Sequence, residues 1–315
     1  MDALDVMTFG EAMVLFAAQQ EGPLASVTQF ARYAAGAELN VAIGLARLGH
    51  RVGYVGRMGQ DAFGEYLLQV IADNGVDRRF IGTDPRHPTG FMLKTKAPQG
   101  QDPQVEYHRK GSAVSHMTAE DLPRDWYQAR LLHVTGISPA LSAGCRQLVQ
   151  TMLDKARKDN VMITFDPNLR PVLWSSTREM VETLNGLAAR ADIILPGVAE
   201  GELLAGSRQP DAIARFYLDM GCKAVVVKLG AEGAYVATAS ENTWIPGVPV
   251  PNVVDTVGAG DGFAVGVISS LLEGETLAQA AARGNQVGAR VVQFPGDSDG
   301  LPTRAELGLP AWVRS

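Results

Sequence analysis

The chain has 315 residues, of which 46% are hydrophobic and 20% are charged, and its formal net charge is −6, from 28 basic and 34 acidic residues. This composition is ordinary for a globular protein and excludes a disordered chain or a coiled coil. The acidic balance argues against a nucleic-acid coat or a membrane-surface protein, because both depend on clustered positive charge. Glycine is in excess, with 34 residues, which indicates many close approaches of the backbone.

The cysteine content and the apolar stretches bear on the compartment. The chain has 2 cysteines, Cys145 and Cys222, which are too few for a disulfide framework or a cysteine-based zinc cluster. Residues 1–5 are acidic and lack the basic region of a signal peptide, and the longest uncharged stretch, 131–145, is too short to span a bilayer. We therefore expect a cytoplasmic protein with neither a membrane nor a nucleic-acid partner.

Short apolar runs alternate with helix-length amphipathic segments along the chain. In chain order the pattern predicts strands at 6–9, 52–55, 131–134, 161–165, 193–195 and 224–227. It predicts helices between them at 39–46, 63–74, 143–158, 177–190 and 211–220. These strands are apolar almost throughout, which is typical of strands covered on both faces. The order predicts an α/β fold with a doubly wound, mostly parallel sheet flanked by helices.

Two segments of mixed polarity interrupt this pattern. Residues 90–96 and 104–110 resemble strands, and a turn rich in Gly, Pro and Gln joins them at 97–103. They predict an antiparallel hairpin that stands off the main sheet. With residues 12–17 the hairpin could form a small lid, and a peripheral surface hairpin is the alternative.

The strongest local signal is the glycine-rich segment DTVGAGDGFA at 255–264, which precedes the apolar helical pattern 265–272. Glycines at the start of a helix leave backbone N–H groups bare, and with the helix dipole these groups form an anion site. Asp261 is unexpected there, because a carboxylate repels an anion. It is either a helix-capping carboxylate or a general base beside a transferring phosphoryl group, and this segment alone leaves both alternatives open.

Several common catalytic signatures are missing from the sequence. It contains no G-x-x-x-x-G-K-[ST] phosphate loop and no G-x-S-x-G nucleophile elbow, and no G-x-G-x-x-G fingerprint follows the first strand. The 5 histidines have no metal-ligand spacing. The anion site at 255–264 therefore belongs to none of these enzyme classes.

A second glycine-rich passage, GYVGRMGQDAFG at 53–64, completes a recognisable pair. Together with DTVGAGDGF it resembles the two signatures of the PfkB, or ribokinase-like, carbohydrate kinases, and the resemblance covers nearly the whole chain. It implies a single ribokinase-like α/β domain over residues 1–315. It also implies a small β-sheet lid, formed by about 11–18, 52–57 and 89–110.

The resemblance implies a reaction, the transfer of a phosphoryl group from MgATP to a sugar hydroxyl. In that family the glycines of the late motif form an anion hole for the γ-phosphate, and the aspartate deprotonates the acceptor. By this likeness Gly258, Ala259 and Gly260 form the anion hole and Asp261 is the catalytic base.

The same resemblance places the nucleotide and its metal. The family's nucleotide-binding turn matches the segment after the last predicted strand, which consists of Lys228, Leu229, Gly230, Ala231, Glu232 and Gly233. A β-turn capped by a surface lysine is the alternative there. Asn285 matches an asparagine that contacts adenosine, and Glu200 matches a glutamate that organises magnesium-bound water. Gly197 stands where the family has asparagine, so that amide contact is lost. A monovalent cation such as K⁺ is a further cofactor that the resemblance allows.

Three passages are similar to the branch of the family that acts on 2-dehydro-3-deoxygluconate, namely 107–113, 165–174 and 296–300. That acceptor carries a carboxylate, which a guanidinium pairs with bidentately, so Arg109 and Arg170 are the candidates to bind it. The resemblance implies further sugar contacts at Gly36, Ala37, Glu38, Leu39, Asn40, Met92, Tyr107, His108 and Asp297. It also puts Asn168, Leu169 and Arg170 near the ATP phosphates.

One departure from the branch is Met92, which stands where tyrosine is frequent and cannot donate a hydrogen bond to a sugar. A fructokinase-like enzyme with a neutral acceptor is therefore an alternative, and a non-catalytic protein that senses a sugar or a nucleotide is another. The resemblance also implies a homodimer or a higher homo-oligomer that assembles through the lid.

Overall fold

Strands and helices alternate along the chain in a computed structural model, which describes residues 3–97, 103–122 and 129–312. The strands are β1 (Leu4–Phe9), β2 (Met13–Glu21), β3 (Phe30–Ala35), β4 (Val52–Gly59), β5 (Ile81–Asp84), β6 (Phe91–Lys96), β7 (Val105–His108), β8 (Ala129–Thr135), β9 (Met162–Asp166), β10 (Ile193–Ile194), β11 (Ala224–Lys228), β12 (Gly233–Thr238) and β13 (Asn242–Pro246). The helices are α1 (Ala37–Arg47), α2 (Ala62–Asp73), α3 (Ser138–Leu141), α4 (Ala143–Lys158), α5 (Thr177–Ala188), α6 (Val198–Ala205), α7 (Pro210–Asp219), α8 (Ala259–Leu272) and α9 (Leu277–Val291).

The main sheet has 9 strands in the order β13-β12-β11-β10-β9-β8-β1-β4-β5. All strands from β11 to β5 in this order run parallel, and β12 and β13 add an antiparallel edge. The first strand is the third from one edge, and the chain winds outward from it in both directions, so the doubly wound, mostly parallel sheet predicted from the sequence is confirmed. In such sheets ligands bind beyond the carboxyl ends of the strands.

Helices cover both faces of this sheet, because its strands are apolar on both sides. Val6 of β1 packs in one core cluster with Leu39 and Ile43 of α1, and α2, α8 and α9 belong to the same layer. The neighbouring Met7 and Phe9 belong to the other cluster, with α4, α5, α6 and α7. The alternation of side chains along a strand thus divides the core into two layers. Within the described ranges, we find no helix with the length and apolarity that crossing a bilayer requires.

A separate sheet of 4 strands, in the order β3-β2-β6-β7, forms the lid. The predicted hairpin is present, since β6 and β7 pair antiparallel with Phe91 opposite His108. One face of the sheet packs on α2 through a triangle of Phe16, Phe63 and Phe91, whose ring centroids lie 5.6–6.2 Å apart. Of the predicted turn at 97–103, residues 98–102 lie outside the described residues.

The predicted lid boundaries need two corrections. Residues 52–57 do not belong to the lid, because β4 pairs with β1 inside the main sheet, with Val52 opposite Val6. Their place is taken by β3, which pairs with β2 along its length. The sequence did not reveal β3, because FARYAA lacks a clear alternation of apolar and polar residues.

Candidate functional site

Two adjoining cavities lie at the carboxyl ends of the parallel strands, and the lid covers one of them. The first, of about 380 Å³, is bounded by lid residues and by residues at the ends of β9 and β11 and the start of α8. The second, of about 400 Å³, lies between the turn after β11 and helices α8 and α9. Lys228, Thr256 and Gly260 line both cavities. One ligand in each cavity, or one ligand that extends through both cavities, would therefore meet beside these three residues.

Asp261 lies in the first turn of α8 and lines the first cavity. Its Oδ2 accepts a 2.8 Å hydrogen bond from the side-chain amide of Asn40, and its Oδ1 accepts one of 3.3 Å from that of Asn168. Gly258, not Asp261, is the capping residue of α8. The helix-capping alternative for Asp261 is therefore excluded, because both oxygens are directed to groups across the cavity.

The carboxyl of Asp261 titrates close to neutral pH. Burial raises its pKa to about 7, with further raising by the charges of Asp166 and Asp297, while the hydrogen bond from Asn40 and the charge of Arg170 lower it. A carboxyl with a pKa near 7 accepts and releases a proton under physiological conditions. The site therefore holds a group suited to general base catalysis.

The glycine-rich turn before α8 forms the boundary between the two cavities. Gly258 has a φ of +83°, and a Cβ there would lie 2.7 Å from the carbonyl oxygen of Asp297. This close approach requires glycine. Helix α8 begins at the next residue, Ala259, whose N–H donates to the carbonyl of Thr256 at 3.3 Å. The following N–H groups of its first turn and the positive end of its dipole lie at the junction. This junction can bind an anion.

Lys228 adds a positive charge at the same junction. Its ammonium donates hydrogen bonds of 2.8 and 2.7 Å to the carboxylate of Asp166, and an oxygen of Glu200 lies 3.8 Å away. Burial lowers the pKa of Lys228, but the charges of Asp166 and Glu200 outweigh it, and the net shift is upward. The ammonium thus stays charged inside the site. The alternative of a surface lysine on a β-turn does not apply, because the side chain is only 18% exposed.

Glu200 holds two neighbouring backbone segments together at the start of α6. Its Oε2 accepts from the N–H of Gly197 at 2.6 Å, and its Oε1 accepts from the N–H of Leu169 at 3.0 Å. Each oxygen keeps a further lone pair, and Glu200 lines the first cavity. Such a carboxylate suits an outer-shell role with Mg²⁺, which usually keeps several of its waters.

The residues predicted to bind a nucleotide divide into two groups. Gly230, Ala231, Gly233 and Asn285 line the second cavity, while Asn168 and Arg170 line the first. The amide of Asn285 donates to the carbonyls of Ile245 and Pro246, at 3.4 and 3.0 Å. Four predicted residues, Gly197, Leu169, Leu229 and Glu232, line neither cavity.

The first turn of α1 and the glycine before it contribute Gly36, Ala37, Glu38 and Asn40 to the first cavity. Leu39 does not reach it, because this side chain is fully buried in the core on the opposite side of the helix. Glu38 lines the cavity, but its Oε1 is already engaged, because it accepts hydrogen bonds of 2.6 Å from both Thr135 and Ser138. Burial raises the pKa of Glu38 despite these bonds.

On the lid, neighbouring residues of β7 lie on opposite faces of the strand. Tyr107 lines the cavity, as does Met92 across from it on β6. His108 does not, because its ring stacks on Phe91 with a centroid separation of 4.5 Å and bonds to Glu106 at 2.8 Å. His108 therefore lies on the face of β7 that is directed away from the first cavity, because neighbouring strand residues lie on opposite faces.

The two arginines expected to bind a carboxylate differ in their surroundings. Arg109 is only 8% exposed, and its Nε donates to Oε2 of Glu11 at 2.6 Å, while Ser112 donates to the other oxygen of Glu11. Arg170 donates to the carbonyl of Leu169 at 2.8 Å and, in the part of the chain that the structure describes, is paired with no carboxylate. Arg170 is therefore the guanidinium with its charge available to a ligand.

Sequence reasoning missed Glu11 and Lys94, which both line the first cavity, as well as the pairing of Asp166 with Lys228. A signal for Lys94 was present. Met92 was recognised, and Lys94 follows it by two residues on β6, so both side chains lie on the same face of the strand. For Glu11 no comparable pattern exists, because it lies in the connection between β1 and β2.

Comparison with known proteins gives concordant results. A family model described as pfkB family carbohydrate kinase matches residues 3–304. The 2-dehydro-3-deoxygluconokinase of Bacillus subtilis is 50% identical over 306 residues, which cover 96% of this chain and 94% of the relative.

Two solved structures extend the comparison to the fold. A PfkB protein from Polaromonas sp. JS666 has 49% sequence identity and a TM-score of 0.90, covering 98% of this chain and 100% of that chain. A putative ribokinase II from E. coli in complex with ATP and Mg²⁺ has 27% identity and a TM-score of 0.90, covering 97% and 98%.

Proposed function

Because the chain belongs to the pfkB family of carbohydrate kinases, we propose that it transfers a phosphoryl group from ATP to the primary hydroxyl of 2-keto-3-deoxygluconate, giving 2-keto-3-deoxy-6-phosphogluconate. The observation that carries this proposal is Asp261, a carboxyl with a pKa of about 7 in a cavity beside an anion-binding helix start. The 50% identity to a 2-dehydro-3-deoxygluconokinase supports the choice of acceptor.

In the proposed mechanism Asp261 takes the proton of the acceptor hydroxyl during in-line transfer. Asn40 and Asn168 orient its two oxygens. The amides of Gly258, Ala259 and Gly260 face the developing negative charge together with the ammonium of Lys228, and such preorganised donors act without reorganising during the reaction. The adenosine occupies the second cavity, which is mostly apolar and contains Asn285.

Mg²⁺, when bound, would neutralise charge on the phosphates, and Glu200 would hold it through water. The free lone pairs of this carboxylate and its place in the first cavity support the assignment. We extend the proposal to a monovalent cation such as K⁺. Exchange of the buffer cation at constant ionic strength tests that part.

We propose Arg170 as the principal partner of the substrate carboxylate. Its guanidinium is unpaired among the described carboxylates, whereas that of Arg109 is already bonded to Glu11. Arg109, Met92, Tyr107 and Asp297 would surround the rest of the sugar acid. We also propose a cytoplasmic location, one kinase domain over the whole chain, and a homodimer or higher homo-oligomer that assembles through the lid.

An ATPase-coupled assay across a panel of sugars and sugar acids tests the function. We expect turnover with 2-keto-3-deoxygluconate, and we expect Arg170→Ala to raise its KM more than tenfold while changing the KM of a neutral sugar little. Equal loss with both substrates, or a preference for fructose, would support the neutral-acceptor kinase instead. Absence of turnover with every member would leave a binding protein.

A further inference from the structure

Lys94 is a buried lysine on the lid that the proposed mechanism does not use. It lies in the middle of β6 and is only 3% exposed. Its ammonium donates hydrogen bonds to Oδ2 of Asp255 at 2.6 Å, to Oδ1 of Asp297 at 3.1 Å and to the carbonyl of Pro295 at 3.1 Å. All three acceptors lie outside the lid, in the two loops beside the start of α8. The Lys94 ammonium therefore joins the lid to the α/β core at a point apart from the aromatic contact of the lid with α2.

The charges of this contact hold the lid over the first cavity. Burial lowers the pKa of Lys94, but the charges of Asp297 and Asp255 outweigh it and shift the pKa upward, so the group stays charged. Both carboxylates are nearly inaccessible, with side-chain exposures of 9% for Asp255 and 5% for Asp297. A buried charge that loses its partner is strongly destabilising. The two carboxylates thus need a cation at this position for as long as the lid excludes water.

Both aspartates also contact the turn that begins α8, Asp255 through its carboxylate and Asp297 through its backbone. The second oxygen of Asp255 accepts from the N–H of Val257 at 3.0 Å, one residue before Gly258. The backbone of Asp297 packs against Gly258 so closely that a Cβ there would lie 2.7 Å from its carbonyl oxygen. Through these contacts the position of the Lys94 ammonium is linked to the amides of residues 258–260.

We infer that Lys94 is a positioning residue which couples closure of the lid to the geometry of the phosphate-binding turn. Lid closure brings the ammonium between Asp255 and Asp297, and these two residues then hold the turn in place for phosphoryl transfer. The inference rests on the proposed kinase function. Loss of the Lys94 side chain should lower kcat more than it raises the KM of the sugar, because the other side chains that face the sugar remain.

The test uses Lys94→Ala with Lys96→Ala as the matched control. Lys96 lies on the same strand two residues later, is exposed, and lines neither cavity of the site. We expect Lys94→Ala to lower kcat by roughly 10²-fold, the scale of a small misplacement of catalytic groups. Lys96→Ala should keep wild-type kcat. An unchanged kcat in Lys94→Ala, or a change in sugar KM alone, would overturn the inference.

Chemical rescue separates positioning from a general loss of structure. The n-propylammonium ion is the fragment of lysine that alanine lacks, and it should restore part of the kcat of Lys94→Ala while leaving the wild type unaffected. Tetramethylammonium at the same ionic strength, which cannot donate hydrogen bonds, should restore nothing. Equal effects of both ions on the variant would contradict the inference. All assays contain saturating K⁺, so that the added ammonium ions cannot raise kcat merely by supplying a monovalent cation.

A second readout does not depend on catalysis. The n-propylammonium ion should raise the Tm of Lys94→Ala, whereas tetramethylammonium should not, because binding to the native state alone stabilises it. Absence of this difference overturns the inference even when the wild type is active. If the wild type turns over no sugar but the Tm difference is present, the proposed function fails and the cation-dependent contact of the lid stands.

Discussion

The side-chain amide of Asn40 donates a 2.8 Å hydrogen bond to Oδ2 of Asp261, which lies 221 positions later in the chain. The bond joins the start of α1 to the start of α8, two helices that pack on the same face of the sheet. The amide is a neutral donor, and burial still raises the pKa of the carboxyl to about 7. Asp261 is thereby held in one orientation without losing its basicity.

Replacement of this carboxyl tests its role directly. Asp261→Asn keeps the shape of the side chain and removes the base, so we expect kcat to fall by roughly 10²–10⁴-fold, the usual contribution of general base catalysis. Steady-state kinetics with 2-keto-3-deoxygluconate measure the loss, and Asp219→Asn on the exposed face of α7 is the control. A folded Asp261→Asn variant with near wild-type kcat would show that the base lies elsewhere.

The raised pKa predicts opposite pH trends for activity and stability. Deprotonated Asp261 is the active form, so kcat/KM should rise with pH through about 7. Its folded pKa lies above the ordinary value of 3.8, so the native state holds a proton that the unfolded chain releases across this interval. This group therefore contributes stability below about pH 4 that is lost as the pH rises through about 7.

Two comparisons with Asp261→Asn isolate these trends. The difference in unfolding free energy between wild type and variant should become less favourable to the wild type from pH 5 to pH 8, as measured by urea unfolding. The acidic limb of the kcat/KM profile should disappear in the residual activity of the variant. A difference that is independent of pH would mean that Asp261 titrates at its ordinary value.

Filling the second cavity should affect the nucleotide alone. Ala289 lines this cavity on α9, and Ala289→Trp would place a large ring inside about 400 Å³. We expect the KM for ATP to rise more than tenfold while the KM for the sugar acid stays near its wild-type value. Gln286→Trp, on the exposed face of the same helix, is the matched control. An equal rise for both substrates would argue against a separate adenosine site.

The buried pair of Arg109 and Glu11 predicts a stability effect. Removing one partner of such a pair costs about 3–5 kcal/mol, because the other charge stays buried. Arg109→Met should therefore lower the unfolding free energy by that amount, and adding Glu11→Gln should recover part of it. Arg178→Met, which breaks an exposed pair with Glu182, should change stability little. Urea unfolding, monitored by circular dichroism, measures the unfolding free energy of each variant. If the effects of Arg109→Met and Glu11→Gln simply add, the two residues are not coupled.

The agreement between sequence and structure follows the strength of the periodic signal. Predicted helix 143–158 has the same bounds as α4, because its apolar residues recur regularly and Ser142 caps its start. The resemblance assigns residues 52–57 to the lid, although the apolar run at 52–55 fits the main sheet, where β4 lies. His108 and Leu39 were selected by their neighbours in a motif, and each is directed away from the cavity by the period of its own element.

The sequence by itself determined the fold class and the glycine-rich start of α8, because apolar periodicity and glycine act over a few neighbouring residues. Only the tertiary structure decided which charged groups meet. The pairs Asp166–Lys228, Glu11–Arg109 and Lys94–Asp255 join residues 62, 98 and 161 positions apart. Side-chain identity alone does not report such distances or the burial that raises the pKa of Asp261. It is this placement that leaves Arg170 free for a ligand and engages Arg109, two arginines that the sequence could not distinguish.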